Sequence, residues 1–136
     1  MRNRNRSYRL EQAQMQFNRF IRLRDAGKPC ISCGRYVENG QLDAGHYRSI
    51  GAAPELRFDE DNCHGQCREC NGFKSANKSE YRNRLFEKIG LKRLEAVESY
   101  HPPQHWTAED IHQIEKEYKA KADVMSCNWE YYYESA

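Results

Sequence analysis

The chain has 136 residues, 38% of them apolar and 31% charged, which fits one domain with extensions around a modest core. No apolar run approaches the length of a membrane span, and no hydrophobic segment follows the arginine- and asparagine-rich start, so neither a membrane anchor nor a secretory signal is expected. The net charge of +2 is unevenly placed: residues 1–28 carry eight Lys/Arg against two acids, residues 29–94 eleven against nine, and residues 95–136 three against nine, so the front end suits nucleic acid and the rear would repel phosphate.

Residues 1–7 read as a flexible basic arm. Residues 8–26 predict an amphipathic helix, because Leu10, Ala13, Phe17, Phe20 (or Ile21) and Leu23 recur at three- and four-residue steps. Gly27 and Pro29 stop it. Arg9, Arg19, Arg22 and Arg24 fall mostly off that stripe, toward solvent or a phosphate backbone. Residues 35–38 and 41–48 are expected to pair as a hairpin over Asn39-Gly40, a dipeptide that favours a tight turn. Residues 49–62 form a long irregular loop of the kind usually functional or mobile. A helix starts at residues 68–78 and continues through 79–89 to Gly90. Another follows over 91–100, before Pro102-Pro103. Thr107 with Glu109-Asp110 caps a last helix running to about residue 124. Residues 127–136 read as an acidic, aromatic tail. The chain thus divides into an arm (1–7), one domain (8–126) and a tail.

Two Cys-x-x-Cys turns, Cys30/Cys33 and Cys67/Cys70, supply the four thiolates of a tetrahedral structural zinc. Without a secretory route such pairs favour zinc over disulfides, and the protein is expected to be intracellular. Four sulfurs close the coordination shell, so chemistry has to come from residues that this scaffold positions. Cys63 and Cys127 are spare.

Between and after the knuckles lie Asp43-Ala-Gly-His46-Tyr, then Asn62 and His64, then Cys70-Asn71-x-x-Lys74. In that order these pieces resemble the HNH, or ββα-metal (His-Me finger), endonuclease superfamily over about residues 28–80. A wider likeness runs from about residue 7 to residue 125 through Pro-Cys-Ile-Ser-Cys-Gly, Asp-Ala-Gly-His-Tyr-Arg, Leu-Arg-Phe-Asp-Glu, Gln-Cys and Tyr-Arg. It is similar to the phage NinG/Rap recombination endonucleases, which act on branched DNA such as Holliday junctions and displacement loops. The resemblance implies a mainly α, α+β fold: a zinc-stapled ββα-metal core (28–80) with flanking helices and a helical extension (81–126). It also implies that the chain starts at the first helix of the pattern, without the basic N-terminal part of longer members.

The resemblance gives His46 the role of general base, since an imidazole titrates near neutral pH. Asp43 and Asn71 become ligands of a catalytic Mg²⁺ or Mn²⁺. Asn62 orients the loop behind His46, and His64 binds the metal or steadies the phosphate. One departure is Gly45, where many members place the acidic ligand. Asp43 is three positions before His46, and positions i and i+3 of a regular strand face opposite ways. Either Gly45 permits a bulge that brings Asp43 round, or His64 is the second ligand.

Arg2, Arg4, Arg6, Arg48, Arg57, Lys74, Lys78 and Arg82 are the expected phosphate contacts, giving affinity without sequence reading. The expected partner is branched double-stranded DNA, cut by a homodimer whose two sites match the symmetry of a four-way junction; other recombination proteins are further candidates. Two alternatives are a non-catalytic zinc module that binds nucleic acid and a sequence-specific HNH nuclease.

Overall fold

The computed structural model describes the backbone over residues 2–38, 41–72 and 78–134, and side chains over 5–38, 41–72 and 78–128. The protein is mainly helical α+β. Its elements are α1 (Arg2–Arg24), β1 (Asp43–His46), β2 (Cys63–Gln66), α2 (Arg68–Gly72), α3 (Lys78–Ile89), α4 (Leu91–Glu98) and α5 (Ala108–Glu134). They fall into two units, one of Met1–Arg24 with His105–Ala136 and one of Asp25–Gln104. No described helix is long and apolar enough to cross a membrane.

The first unit is a helix pair. α1 buries Ala13, Phe17, Phe20 and Ile21, a stripe at helical spacing, and α5 buries Ile111, Tyr118 and Ala122. Phe17 meets the Tyr118 ring edge-on, with centroids 4.8 Å apart, and Phe20 lies 5.3 Å from the same ring. Asn5 and Arg9 share a cavity with Ile111 and His112, and Arg19 pairs with Asp123 at 2.8 Å, so the helices run parallel. α5 opens on a reciprocal cap: the Asp110 N–H donates to Thr107 Oγ1 at 3.1 Å and the Thr107 N–H donates to Asp110 Oδ2 at 2.9 Å. Residues 2–7, expected as an arm, continue α1, and residues 127–134, expected as a tail, continue α5. No Gly or Pro interrupts either stretch.

The second unit holds the sheet. β1 pairs antiparallel with β2, Asp43 opposite Gln66, Gly45 opposite His64 and His46 opposite Cys63. The expected hairpin partner of β1, residues 35–38, is not a strand; Asn39 and Gly40 lie outside the described residues. The first knuckle curls on itself instead, the Cys30 N–H donating to the Arg35 carbonyl and the Gly34 N–H to the Cys30 carbonyl, both at 2.9 Å. Gly34 takes φ +75° to make that turn. The outer edge of β2 is closed at Gly65, whose carbonyl accepts the Ile31 N–H at 2.9 Å and whose N–H donates to Asp25 Oδ2 at 2.7 Å. The long connection between the strands contains two 3₁₀ turns, Pro54–Leu56 and Glu60–Asn62.

Helix α3 braces this unit. Its Tyr81 and Leu85 pack with Ile31 and Leu94. Along the same face, Tyr81 Oη donates to the Gly45 carbonyl at 2.6 Å and Arg84 Nη1 to the Ser32 carbonyl. One turn on, Lys88 Nζ donates to Asp25 Oδ2 at 3.0 Å and to His64 Nδ1 at 2.8 Å. Positions 81, 84 and 88 recur at three- and four-residue steps, so one helix holds β1, the first knuckle and β2 together.

Candidate functional site

The ligand atoms of Cys30, Cys33, Cys67 and Cys70 all lie within 4.8 Å of one another, and the Cys33 and Cys67 sulfurs are 3.9 Å apart. Sulfurs around a tetrahedral zinc are separated by roughly 3.8 Å. Cys30 Sγ accepts the N–H groups of Cys67 (3.2 Å), Ser32 (3.4 Å) and Cys33 (3.5 Å). Burial pushes the Cys30 thiol up, but these backbone donors outweigh it and bring it from 9.0 down to about 7. The thiolate is the metal-binding form. The four close cysteines could therefore hold a structural metal such as zinc. Among the described residues this is the only gathering of three or more His, Cys, Asp or Glu side chains close enough for an ion. Cys63 is buried outside it and Cys127 is exposed.

His46 ends β1. Its Nε2 is 3.1 Å from the Arg57 carbonyl oxygen, and its Nδ1 is 3.8 Å from Cys63 Sγ. A carbonyl only accepts, so Nε2 carries the hydrogen and the neutral ring has its lone pair on Nδ1. Burial lowers the pKa of the ring; the Arg57 carbonyl opposes this and the Arg57 guanidinium adds to it. The ring is thus neutral at pH 7, as a base must be. It lines a groove of about 520 Å³ together with Gln66, Asn71, Lys78 and Tyr81.

Asn62 is wholly buried. Its Nδ2 donates to the Arg48 and Leu56 carbonyls at 3.0 and 3.3 Å, its Oδ1 accepts the Arg48 N–H at 2.9 Å, and its carbonyl accepts the Tyr47 N–H at 2.8 Å. It ties the far end of the connection to the residues that follow His46, and it does not itself line the groove.

Asn71 Nδ2 donates to Asp43 Oδ2 at 3.4 Å, and Arg68 Nε lies 3.9 Å from the same oxygen. The β1–β2 register runs unbroken from Asp43 to His46, so Gly45 makes no bulge. Asp43 therefore meets Asn71 while facing away from His46. His64 does not join them. It is buried, with Nε2 2.8 Å from the Asp61 carbonyl and Nδ1 2.8 Å from Lys88 Nζ. An ammonium only donates and a carbonyl only accepts, so both ring nitrogens are engaged. The expected cation ligand is instead part of the brace, because strand alternation turns it toward α3.

The basic residues are divided between structure and groove. Arg48 lines the groove, but its Nη1 donates to the Val97 and Ser99 carbonyls, both at 3.0 Å, and so caps the end of α4. Arg82 grips Glu98 through two hydrogen bonds of 2.9 Å, and Tyr47 Oη donates to the same carboxylate at 2.7 Å. These two arginines, expected on phosphate, secure α4. Arg57 is half-buried over the Phe58 ring, and desolvation lowers its pKa. Lys78 lines the groove with Nζ 5.7 Å from the Tyr47 ring, and Arg6 is exposed on α1. Lys74 and the side chains of Arg2 and Arg4 lie outside the described residues.

Sequence reasoning missed Gln66, Tyr81, Asp25 and Lys88. Only the spacing of Tyr81, Arg84 and Lys88 was a usable signal. Asp25 read as the end of a helix, and Gln66 entered only through the Gln-Cys piece of the family likeness, with no role of its own.

A family model described as Bacteriophage Lambda NinG protein matches residues 2–127. Protein ninG of Salmonella phage P22 is 50% identical over 116 residues, covering 85% of this chain and 57% of that protein. Protein ninG of Escherichia phage lambda is 48% identical over 116 residues, covering 85% and 56%. The chain spans a little over half the length of these relatives. No solved structure matches. A family match across nearly the whole sequence, with relatives at about half identity, means that the chain belongs to the NinG family of phage proteins.

Proposed function

We propose that this chain is a metal-dependent endonuclease of the HNH, or ββα-metal, type that cuts branched DNA, such as Holliday junctions and displacement loops, in phage recombination. The observation that carries the reading is His46: its Nε2 is fixed by the Arg57 carbonyl, and its ring lines the same groove as Asn71. The succession of β1, β2 and α2 around four close cysteines supports the same superfamily.

The donor chemistry fits two ions of different kinds. Four thiolates suit a zinc that holds the knuckles and takes no part in the reaction. Asp43 and Asn71 offer hard oxygens and meet each other, a donor set for Mg²⁺ or Mn²⁺. Bound there, such an ion supplies neutralisation of the phosphate charge and support for the leaving oxygen. The chain's own residues do the rest. His46 Nδ1 accepts the proton of the attacking water, the Arg57 carbonyl steadies the imidazolium that results, and Asn62 keeps the strand end from moving. Lys78 is placed to hold a phosphate at the groove wall.

Cutting a four-way junction on two strands needs two such sites, so the active species is a homodimer. The test compares cleavage of a four-way junction, a displacement loop, single strands and linear duplex of one sequence, with Mg²⁺ and with Mn²⁺. Preference for the branched substrates supports the reading. Equal cutting of all four removes the branch selectivity, and binding without cutting leaves the zinc module that holds nucleic acid.

A further inference from the structure

We infer that the side-chain oxygen of Gln66 is a ligand for the divalent cation of the proposed nuclease site, filling the place that a side chain at position 45 would otherwise occupy. The inference rests on the nuclease reading and deepens it. Gly45 immediately precedes His46. A Cβ built on it would lie 2.0 Å from Gln66 Oε1 and 2.8 Å from Gln66 Cβ. Gln66 therefore folds its amide across the sheet onto Gly45. Its Nε2 donates to Ser32 Oγ at 2.8 Å, which turns Oε1 toward β1. The backbone beneath is held by Tyr81 Oη on the Gly45 carbonyl at 2.6 Å.

Two further observations point the same way. Asn71 spends its Nδ2 on Asp43, so its amide too presents the oxygen end, and both amides line the groove that holds His46. Outside the zinc knuckles, the described residues gather no second cluster of acids, histidines or cysteines. A cation held between Gln66 and Asn71 therefore has to draw on amide oxygens as well as Asp43, which stands opposite Gln66 and meets Asn71. Magnesium-like ions accept such oxygens and complete their shell with water. A purely packing role for Gln66 would need its volume and not its oxygen, which separates the two explanations.

The experiment is Mn²⁺ binding to the zinc-loaded full chain without DNA, followed by electron paramagnetic resonance. Gln66→Leu keeps the volume and removes the oxygen; it should weaken Mn²⁺ binding by roughly ten- to a hundredfold while zinc content holds. Gln66→Glu should bind about tenfold tighter, since the added charge faces the ion. Gly45→Asp alone should collide with Gln66, whereas Gly45→Asp with Gln66→Ala should recover wild-type affinity. If Gln66→Leu loses zinc, Gln66→Glu decides, and an unchanged Mn²⁺ affinity there overturns the inference. A wild-type chain that cuts DNA with Mn²⁺ while Gln66→Leu binds the ion equally well overturns this inference alone. A wild type that neither binds Mn²⁺ nor cuts overturns the nuclease reading and this inference with it.

Discussion

Arg57 gives its backbone carbonyl to Nε2 of His46 at 3.1 Å, so a residue eleven positions downstream decides which ring nitrogen can receive a proton. The side chain of Arg57 is not the agent, and Arg57→Ala should keep the tautomer. Burial penalises the charged ring, so the His46 pKa lies below its ordinary 6.5. In the proposed reaction, cleavage needs the neutral ring. At saturating Mn²⁺ the rate should climb with pH through that lowered value and be flat by pH 7. His46→Ala should cut roughly 10²- to 10⁴-fold more slowly, with zinc content and junction binding unchanged. A rate still climbing above pH 7, or a His46→Ala variant that cuts normally, would remove His46 as the base.

Asn62→Ala should destabilise the fold by roughly 2–4 kcal/mol, because it deletes the three side-chain hydrogen bonds of a wholly buried residue and strands the Arg48 N–H. The loss would appear as a lower denaturant midpoint at constant slope. In the proposed reaction, cleavage by the fraction that remains folded should also fall, since the Asn62 side chain holds the Arg48 backbone two residues after His46. A variant as stable as the parent would contradict the placement.

Cys67→Ser should release the metal and abolish cooperative melting, and a strong zinc chelator should do the same to the parent. Cys63→Ser is the control. Its sulfur lies 3.8 Å from His46 Nδ1 and outside the cluster, so zinc content should stay at the parental level. Equal zinc loss from both variants would mean that the ligand set is misassigned.

Asp25 is buried and joins Lys88 at 3.0 Å. Asp25→Ala should cost roughly 3–5 kcal/mol, as it removes the carboxylate that neutralises the Lys88 ammonium and accepts the Gly65 N–H. Lys88→Met in that background should restore part of the loss. Denaturant melts of the four species in the cycle give the coupling, expected at about 0.5–3 kcal/mol. Strict additivity would show that the two residues act separately.

The parts most legible in the sequence were those with local periodicity or fixed spacing. The stripe from Ala13 to Ile21, the Thr107 cap and the four knuckle cysteines each carry their geometry within a few residues. The strand pairing was harder, because Asn39-Gly40 offers a good local turn while the true partner of β1 begins seventeen residues after His46. Nothing local in Cys63-His-Gly-Gln marks it as a strand, since its stabilising contacts come from Asp25, Ile31 and Lys88. The roles of Arg48 and Arg82 were obscured for the same reason. A cation's destination depends on whether a carboxylate or a helix end folds back onto it, and Glu98 and the end of α4 are sixteen or more residues away.

The face of α3 that carries Tyr81, Arg84 and Lys88 has one more implication. Each residue added to a helix turns everything after it by about 100°. A single insertion between Tyr81 and Lys88 would swing the ammonium off the Asp25 carboxylate while the phenol stayed on Gly45. The number of residues in that stretch is therefore under as much constraint as their identities: drift there can proceed by exchange of one side chain for another, but not by lengthening or shortening the rod.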